Sequence, residues 1–275
     1  MTASLTILFL VLMFLGMPVA FAIGISFMLF YLLGPAPAMI SVQKIVVSTQ
    51  NFPLLAIPLF ILAGHLMNRS GITARLLKLS TVMTGGISGG LAHVAIMLSA
   101  LMGGVSGSAV ADAAMEARVL GPAMVKSGLS KGYACASMTV GSLITATIPP
   151  SVGLIIYGYL GNVSIGRLFA GGIVPGVLMT IFLMATAYII AKKRGYQPEL
   201  KSRPPMREVL TATWESKWAL VFPIFLIVGI RYGIFTPSEA GAFAIAYAVL
   251  IGTLVFRQLT MAKMIEALRH IVQDI

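Results

Sequence analysis

Apolar stretches run along most of this chain, broken at intervals by glycine, proline and small basic clusters, and the breaks predict its elements. Residues 2–33 are apolar with only Ser and Thr as polar guests. That is longer than one bilayer crossing needs, so the span must tilt or kink, and Gly16 with Pro18 mark the kink. Gly34-Pro35-Ala36-Pro37 ends it, and residues 38–50 read as a mildly amphipathic connector holding Lys44. Residues 52–68 form a second span, with Pro53 and Pro58 in its first half and an interfacial His65 near its end. Residues 72–83 then place Ile72, Leu76, Leu79 and Met83 at helical spacing with Arg75 and Lys78 on the other side, as in an interfacial amphipathic helix. Residues 131–148 are apolar and rich in small residues, break at Thr147-Ile148-Pro149-Pro150-Ser151, and complete their crossing by residue 160. A span over 164–191 is followed by Lys192-Lys193-Arg194 and a basic loop with Lys201, Arg203, Arg207 and Lys217. Within that loop, residues 205–218 read as a second surface helix, with Trp214 and Trp218 as interfacial anchors. Residues 218–235 span again, and Thr236-Pro237-Ser238-Glu239 starts a last span to residue 256 with an N-cap, a first-position proline and a first-turn acid. Residues 259–271 form a third amphipathic helix, with Arg257, Lys263 and Arg269 on its polar side.

One stretch departs from this rhythm. Residues 89–130 hold an apolar arm, the break Gly103-Gly104-Val105-Ser106-Gly107-Ser108, and a second arm carrying Asp112, Glu116 and Arg118. Each arm is about 12 to 16 residues, short of the roughly 20 that cross a hydrocarbon core. The pattern predicts a re-entrant helical hairpin whose tip lies at membrane depth, where irregular backbone survives only inside protein or beside a wet cavity.

Composition sharpens the class. With 58% apolar and 10% charged residues and a mean hydropathy of +0.97, the chain is an all-α polytopic membrane protein, against about 25% charged in a soluble domain. The net charge of +11 does not indicate nucleic acid, because the cations sit between apolar spans, where they set topology. By that rule both hairpin ends, residues 192–217 and the chain from Arg257 onward lie on the cytoplasmic side, as does the N-terminus. The count is six spans plus one hairpin. Cys135 is the only cysteine, which excludes an internal disulfide and cysteine-based metal sites.

Asp112 is the most informative residue, since an ionisable group near mid-membrane is costly and usually functional. Ser106, Ser108 and the carbonyls beside Gly103, Gly104 and Gly107 offer hard oxygen ligands suited to Na+. The bland alternatives are close helix packing by Gly and Ser, and Asp112 as a helix cap. Thr145, Thr147, Pro149, Pro150 and Ser151 make a second oxygen-rich point, because proline frees backbone carbonyls. Glu116 and Arg118 read as a mutual pair or as interface residues, and Glu239 as a helix-start acid. The chain has no G-x-S-x-G, H-E-x-x-H or P-loop pattern. A membrane enzyme using Asp112 or His93 is the competing class of function, and a non-transporting scaffold is a third.

Three motifs, residues 103–112, Ile148-Pro149-Pro150-Ser151 with Tyr157-Gly158, and Thr236-Pro237-Ser238-Glu239-Ala240-Gly241-Ala242, resemble the large membrane subunit of TRAP transporters, and the likeness runs along the whole chain. The resemblance implies Na+-driven uptake of an organic acid, such as a C4-dicarboxylate or a sugar acid, across the bacterial inner membrane. It implies two partners, a periplasmic substrate-binding protein and a small four-helix membrane subunit, and an elevator mechanism with two inverted repeats. It also places a first Na+ site around Gly103, Ser106 and Ser108, with the 147–151 break facing it. On that pattern residues 1–235 are the first repeat: scaffold helices over 1–83, the hairpin over 89–130, a broken helix over 131–160, a span over 164–191, an arm over 192–217 and a span over 218–235. Residues 236–275 begin the second repeat, with a span over 236–256 and an amphipathic arm over 259–271. Family members carry a second hairpin, so the sequence reads as a fragment, a split gene product or a truncated frame.

Overall fold

The computed structural model describes residues 2–34, 37, 39–50, 52–200 and 204–274. Pro35 and Ala36 of the expected 34–37 turn, and Lys201 and Arg203 of the basic loop, lie outside the described residues. All regular elements among the described residues are helical. The chain divides into two compact units, Met1–Phe52 and Pro53–Ile275.

The first unit holds α1 (Thr2–Phe14), α2 (Val19–Leu33) and α3 (Met39–Thr49). The interruption falls at Gly16 and Pro18 as the sequence predicts, but it is a full break rather than a kink. Gly16 takes the left-handed φ of +84°, and Pro18 has no N–H to continue the ladder. The expected long first span is therefore two helices of 13 and 15 residues that pack on each other. Large apolar side chains such as Phe14 and Phe21 are exposed on them, which suits a lipid environment.

The second unit begins at Pro53, inside a 3-10 turn over Phe52–Leu55, and continues with α4 (Ala56–Arg69) and α5 (Ile72–Thr84). The chain bends 69° between them, at Gly71 with φ +87°. Ile72, Leu76 and Leu79 of α5 are buried while Met83 is half-exposed, so the predicted apolar face ends one turn early. The hairpin follows as α6 (Gly90–Gly103) and α7 (Ala109–Val119), with α8 (Gly121–Lys126) completing the second arm. That arm is broken at Leu120 because Pro122 opens a new helix. Next come α9 (Lys131–Thr147) and α10 (Val152–Leu160), bent 48° across the two prolines. α11 (Ile165–Lys193) runs 29 residues. α12 (Met206–Glu215) and α13 (Lys217–Arg231) meet at 59°. α14 (Pro237–Leu250) widens into a π turn at Ile251–Val255, and α15 (Met261–Asp274) ends the described chain.

Ile165–Lys193 and Pro237–Val255 are each long and apolar enough to cross a bilayer, and the bent pairs α4–α5, α9–α10 and α12–α13 reach that length together. α6 lies at the centre, packed against α5, α9 and α11, with Ala92, Val94, Ala95, Leu98 and Met102 fully buried. α4 packs against α14 and α15. His65 of α4 stacks on His270 of α15 with ring centroids 6.2 Å apart, so α15 covers it.

The start of α14 matches its sequence signal. Thr236 Oγ1 accepts from Glu239 N at 3.3 Å, and Glu239 Oε2 accepts from Thr236 N at 2.8 Å, a complete capping box. Thr236→Ala is expected to cost about 1 kcal/mol and to lower the thermal unfolding midpoint in detergent, with Thr236→Ser close to wild type.

Candidate functional site

The site begins with the turn at the end of α6. Gly107 has φ +64°, a conformation that L side chains rarely adopt. It reverses the chain so that Ser108 can cap α7, its Oγ accepting from Ala111 N at 3.4 Å. The cap is thus Ser108, which frees Asp112 of that role. α9 packs against both arms. Ser99 Oγ donates to Glu116 Oε1 at 2.7 Å although the residues are 17 apart, a separation of roughly 25 Å along a straight helix.

The hairpin tip docks on the break between α9 and α10. A Cβ on Gly103 would meet Ile148 Cβ at 2.8 Å, and one on Gly107 would meet the Pro150 carbonyl oxygen at 2.5 Å. Val152 N donates to Gly107 O at 3.4 Å. Gly104 lies against the ring of Pro223 on α13, and Gly64 of α4 comes close to the Ser106 backbone. Two broken helices therefore meet at their breaks. The C-terminal ends of α6 and α9 come together at Gly103 and Ile148, and the N-terminal ends of α7 and α10 at Gly107 and Val152. Helix C-termini carry partial negative charge and N-termini partial positive charge, so this crossing presents a cation-favouring side and an anion-favouring side.

The polar side chains are nearly enclosed. Gly103, Gly104, Ser106, Gly107, Pro149, Pro150 and Ser151 are buried, while Ser108 and Thr147 are half-buried. Asp112 and Glu116 have no exposed surface. Ser106 Oγ donates to Asp112 Oδ2 at 2.7 Å, which leaves Asp112 Oδ1 without a partner, as is Glu116 Oε2. Among the described residues no basic side chain pairs with either carboxyl. A buried carboxylate without a counter-charge costs several kcal/mol, so such groups take up a cation or a proton.

The structure brings together most of the residues expected from the sequence. Residues 103–112 and the prolines meet as read. Thr147 does not join them through its side chain, because its Oγ1 donates to Leu143 O at 3.0 Å and approaches Met179 Sδ of α11 at 3.6 Å. Thr145 stands in its place, donating to Ser99 O at 2.9 Å. Ser151 caps α10 and donates to Ala146 O at 2.6 Å, so its hydroxyl holds the break itself. The expected Glu116–Arg118 pair is not formed: α7 turns Glu116 inward to Ser99 and leaves Arg118 exposed. Ser99 was missed. Its signal is a lone hydroxyl in an apolar arm, eight residues before Gly107 as Glu116 is eight after Ser108. His93 sits near the other end of α6, its ring nitrogens near Gly89 O and Met184 O. That is roughly 20 Å along the helix from Ser106, so the two do not form a nucleophile–base pair.

The family model of the DctM component of tripartite ATP-independent periplasmic transporters matches residues 6–274. The chain is 40% identical over 266 residues to the sialic acid TRAP transporter large permease protein SiaM of Vibrio cholerae serotype O1, covering 95% of this chain and 61% of that protein. It is 39% identical over 267 residues to the sialic acid TRAP transporter permease protein SiaT of Haemophilus influenzae, covering 95% of this chain and 42% of that protein. It is 33% identical over 261 residues to the C4-dicarboxylate TRAP transporter large permease protein DctM of Vibrio cholerae serotype O1, covering 94% of this chain and 57% of that protein. The chain thus spans about half the length of these relatives.

The Ser99–Glu116 contact is open to a double-mutant cycle. Ser99→Ala leaves a second carboxyl oxygen unpartnered and is expected to cost about 1–3 kcal/mol. Ser99→Ala with Glu116→Leu is expected to cost clearly less than the two single changes summed, read as thermal or chemical unfolding in detergent.

Proposed function

The chain belongs to the family of the DctM component of tripartite ATP-independent periplasmic transporters, and we propose that it contributes the first hairpin and its proline break to a Na+-coupled uptake site for an organic acid. What supports this reading is the meeting of two broken helices at a buried tip, with Asp112 beside it holding an unpartnered oxygen. Broken helices whose ends converge in the protein interior are how secondary transporters assemble ion and substrate sites.

In this reading Na+ takes oxygens at the C-terminal ends of α6 and α9, around Gly103 and Ser106, with Ser108 across the turn at the start of α7, and Asp112 supplies the compensating charge. The substrate carboxylate sits by the N-terminal ends of α7 and α10, at Gly107 and Ser151. Na+ binding fixes the tip, and the fixed tip presents its amides to the acid. The substrate is an acid of the kind named for the relatives, sialic acid or a C4-dicarboxylate. A periplasmic binding protein delivers it, a small four-helix membrane subunit completes the permease, and the hairpin with its break moves as a body in an elevator cycle. The setting is the bacterial inner membrane, with the N-terminus in the cytoplasm.

Na+ binding by the chain is measurable without transport. At about 100 times its dissociation constant a single bound Na+ adds about 2.7 kcal/mol of stability, so NaCl is expected to raise the unfolding midpoint in detergent well above equimolar KCl. Ser106→Ala and Asp112→Asn are each expected to shrink that difference, and the same changes in a complete transporter to reduce Na+-dependent uptake in proteoliposomes. Equal stabilisation by K+, or full Na+ dependence in both variants, overturns the assignment.

A further inference from the structure

A second site lies away from the hairpin tip, where α5, α12 and α13 meet the turn after α14. An open cavity of about 610 Å³ is lined there by Arg75, Lys78, Trp214, Lys217 and Trp218, with one acid, Glu215. The Arg75 guanidinium lies over the Phe256 ring, 3.6 Å from its centroid, and Nη1 donates to Gly71 O at 2.9 Å. Lys78 Nζ bonds Glu215 Oε2 at 2.7 Å. Lys217 Nζ lies 3.8 Å from the Trp214 ring centroid and 5.4 Å from that of Trp218, and meets no carboxylate among the described residues. Three cations thus stand against one carboxylate, and the pocket keeps two positive charges.

The pocket opens onto an apolar track. Met206, Leu210 and Trp214 follow at four-residue spacing along α12 and are 71%, 63% and 70% exposed. The other side of α12, at Val209 and Ala212, packs against Leu79 and Val82 of α5. A helix anchored by one face with an apolar stripe outward lies in a membrane interface, and Trp and Lys belong at headgroup depth there.

We propose that this elbow binds an anionic phospholipid, its phosphodiester held by Lys217, Lys78 and Arg75 and its acyl chains laid along Met206, Leu210 and Trp214. A basic pocket between membrane helices is a recognised chemistry for acidic headgroups. The indole faces of Trp214 and Trp218 orient Lys217 by cation–π attraction without neutralising it. The stripe selects a lipid over a soluble phosphate compound, which has nothing to place on it. The site shares no residue with the transport site and does not depend on that reading.

The test uses a convenient fact of composition: the chain has two tryptophans, and both line this pocket. The full chain is reconstituted in phosphatidylcholine nanodiscs containing increasing mole fractions of phosphatidylglycerol or phosphatidylcholine with brominated acyl chains, and tryptophan quenching is followed. Brominated phosphatidylglycerol is expected to reach half-quenching at a roughly 25-fold lower mole fraction, about fivefold for each of the two net positive charges. Each lysine changed, in Lys78→Gln and in Lys217→Gln, is expected to reduce that preference about fivefold, the equivalent of about 1 kcal/mol per basic residue near an acidic surface. Lys217→Arg is expected to retain it. Equal quenching by the two lipids in the wild type, an unchanged preference in the double Lys78→Gln/Lys217→Gln variant, or loss of preference in Lys217→Arg overturns the proposal. Reversal of the quenching by soluble glycerol phosphate overturns the lipid assignment.

Discussion

The contact on which this structure depends is the approach of one interrupted helix to another with almost no side chain between them. At Gly103 and Gly107 a methyl group would strike Ile148 and the Pro150 carbonyl, so the tip reaches the proline break only because both positions lack Cβ. That approach sets four helix ends around one small volume, and it explains why the surroundings are built as they are. α6 must be central and fully packed to hold the tip at depth. α11 must carry small residues where the break presses on it, and Gly172 and Gly176 meet Thr147 O and Ile148 there. α4 must offer Gly64 to the Ser106 backbone.

The same closeness makes the carboxyls costly. With no exposed surface and, among the described residues, no basic side chain paired to them, Asp112 and Glu116 each have one oxygen bound by a serine and one left over. A structural role alone would be served as well by apolar residues of similar shape, since replacing both members of a buried polar pair is often neutral. Two such groups one turn apart on α7 therefore weigh toward a site that handles positive charge. The chain spans only about half the length of the relatives it matches.

Much of this was legible in the sequence because it rests on local chemistry. The hairpin shows as short apolar arms around Gly-Gly-Val-Ser-Gly-Ser. The break shows as two adjacent prolines, and the α14 start as Thr-Pro-Ser-Glu. Each is set by residues within one or two turns. What was misread depended on tertiary register. Glu116 and Arg118 are neighbours in sequence, and nothing local says that a helix of this pitch turns one inward to Ser99 and the other outward. Thr147 and Thr145 look equivalent, but a two-residue offset sends one hydroxyl toward α11 and the other toward α6. The first apolar run looked continuous because hydropathy ignores the left-handed turn at Gly16.

Gly104 adds a mechanical consequence. Its partner on α13 is the ring of Pro223, reached through ring carbons alone. A surface of methylenes offers shape but no directional bonds. The wall beside the hairpin tip is therefore smooth and non-directional, and the directional bonds near the tip are those of Ser106 with Asp112 and of Ser99 with Glu116.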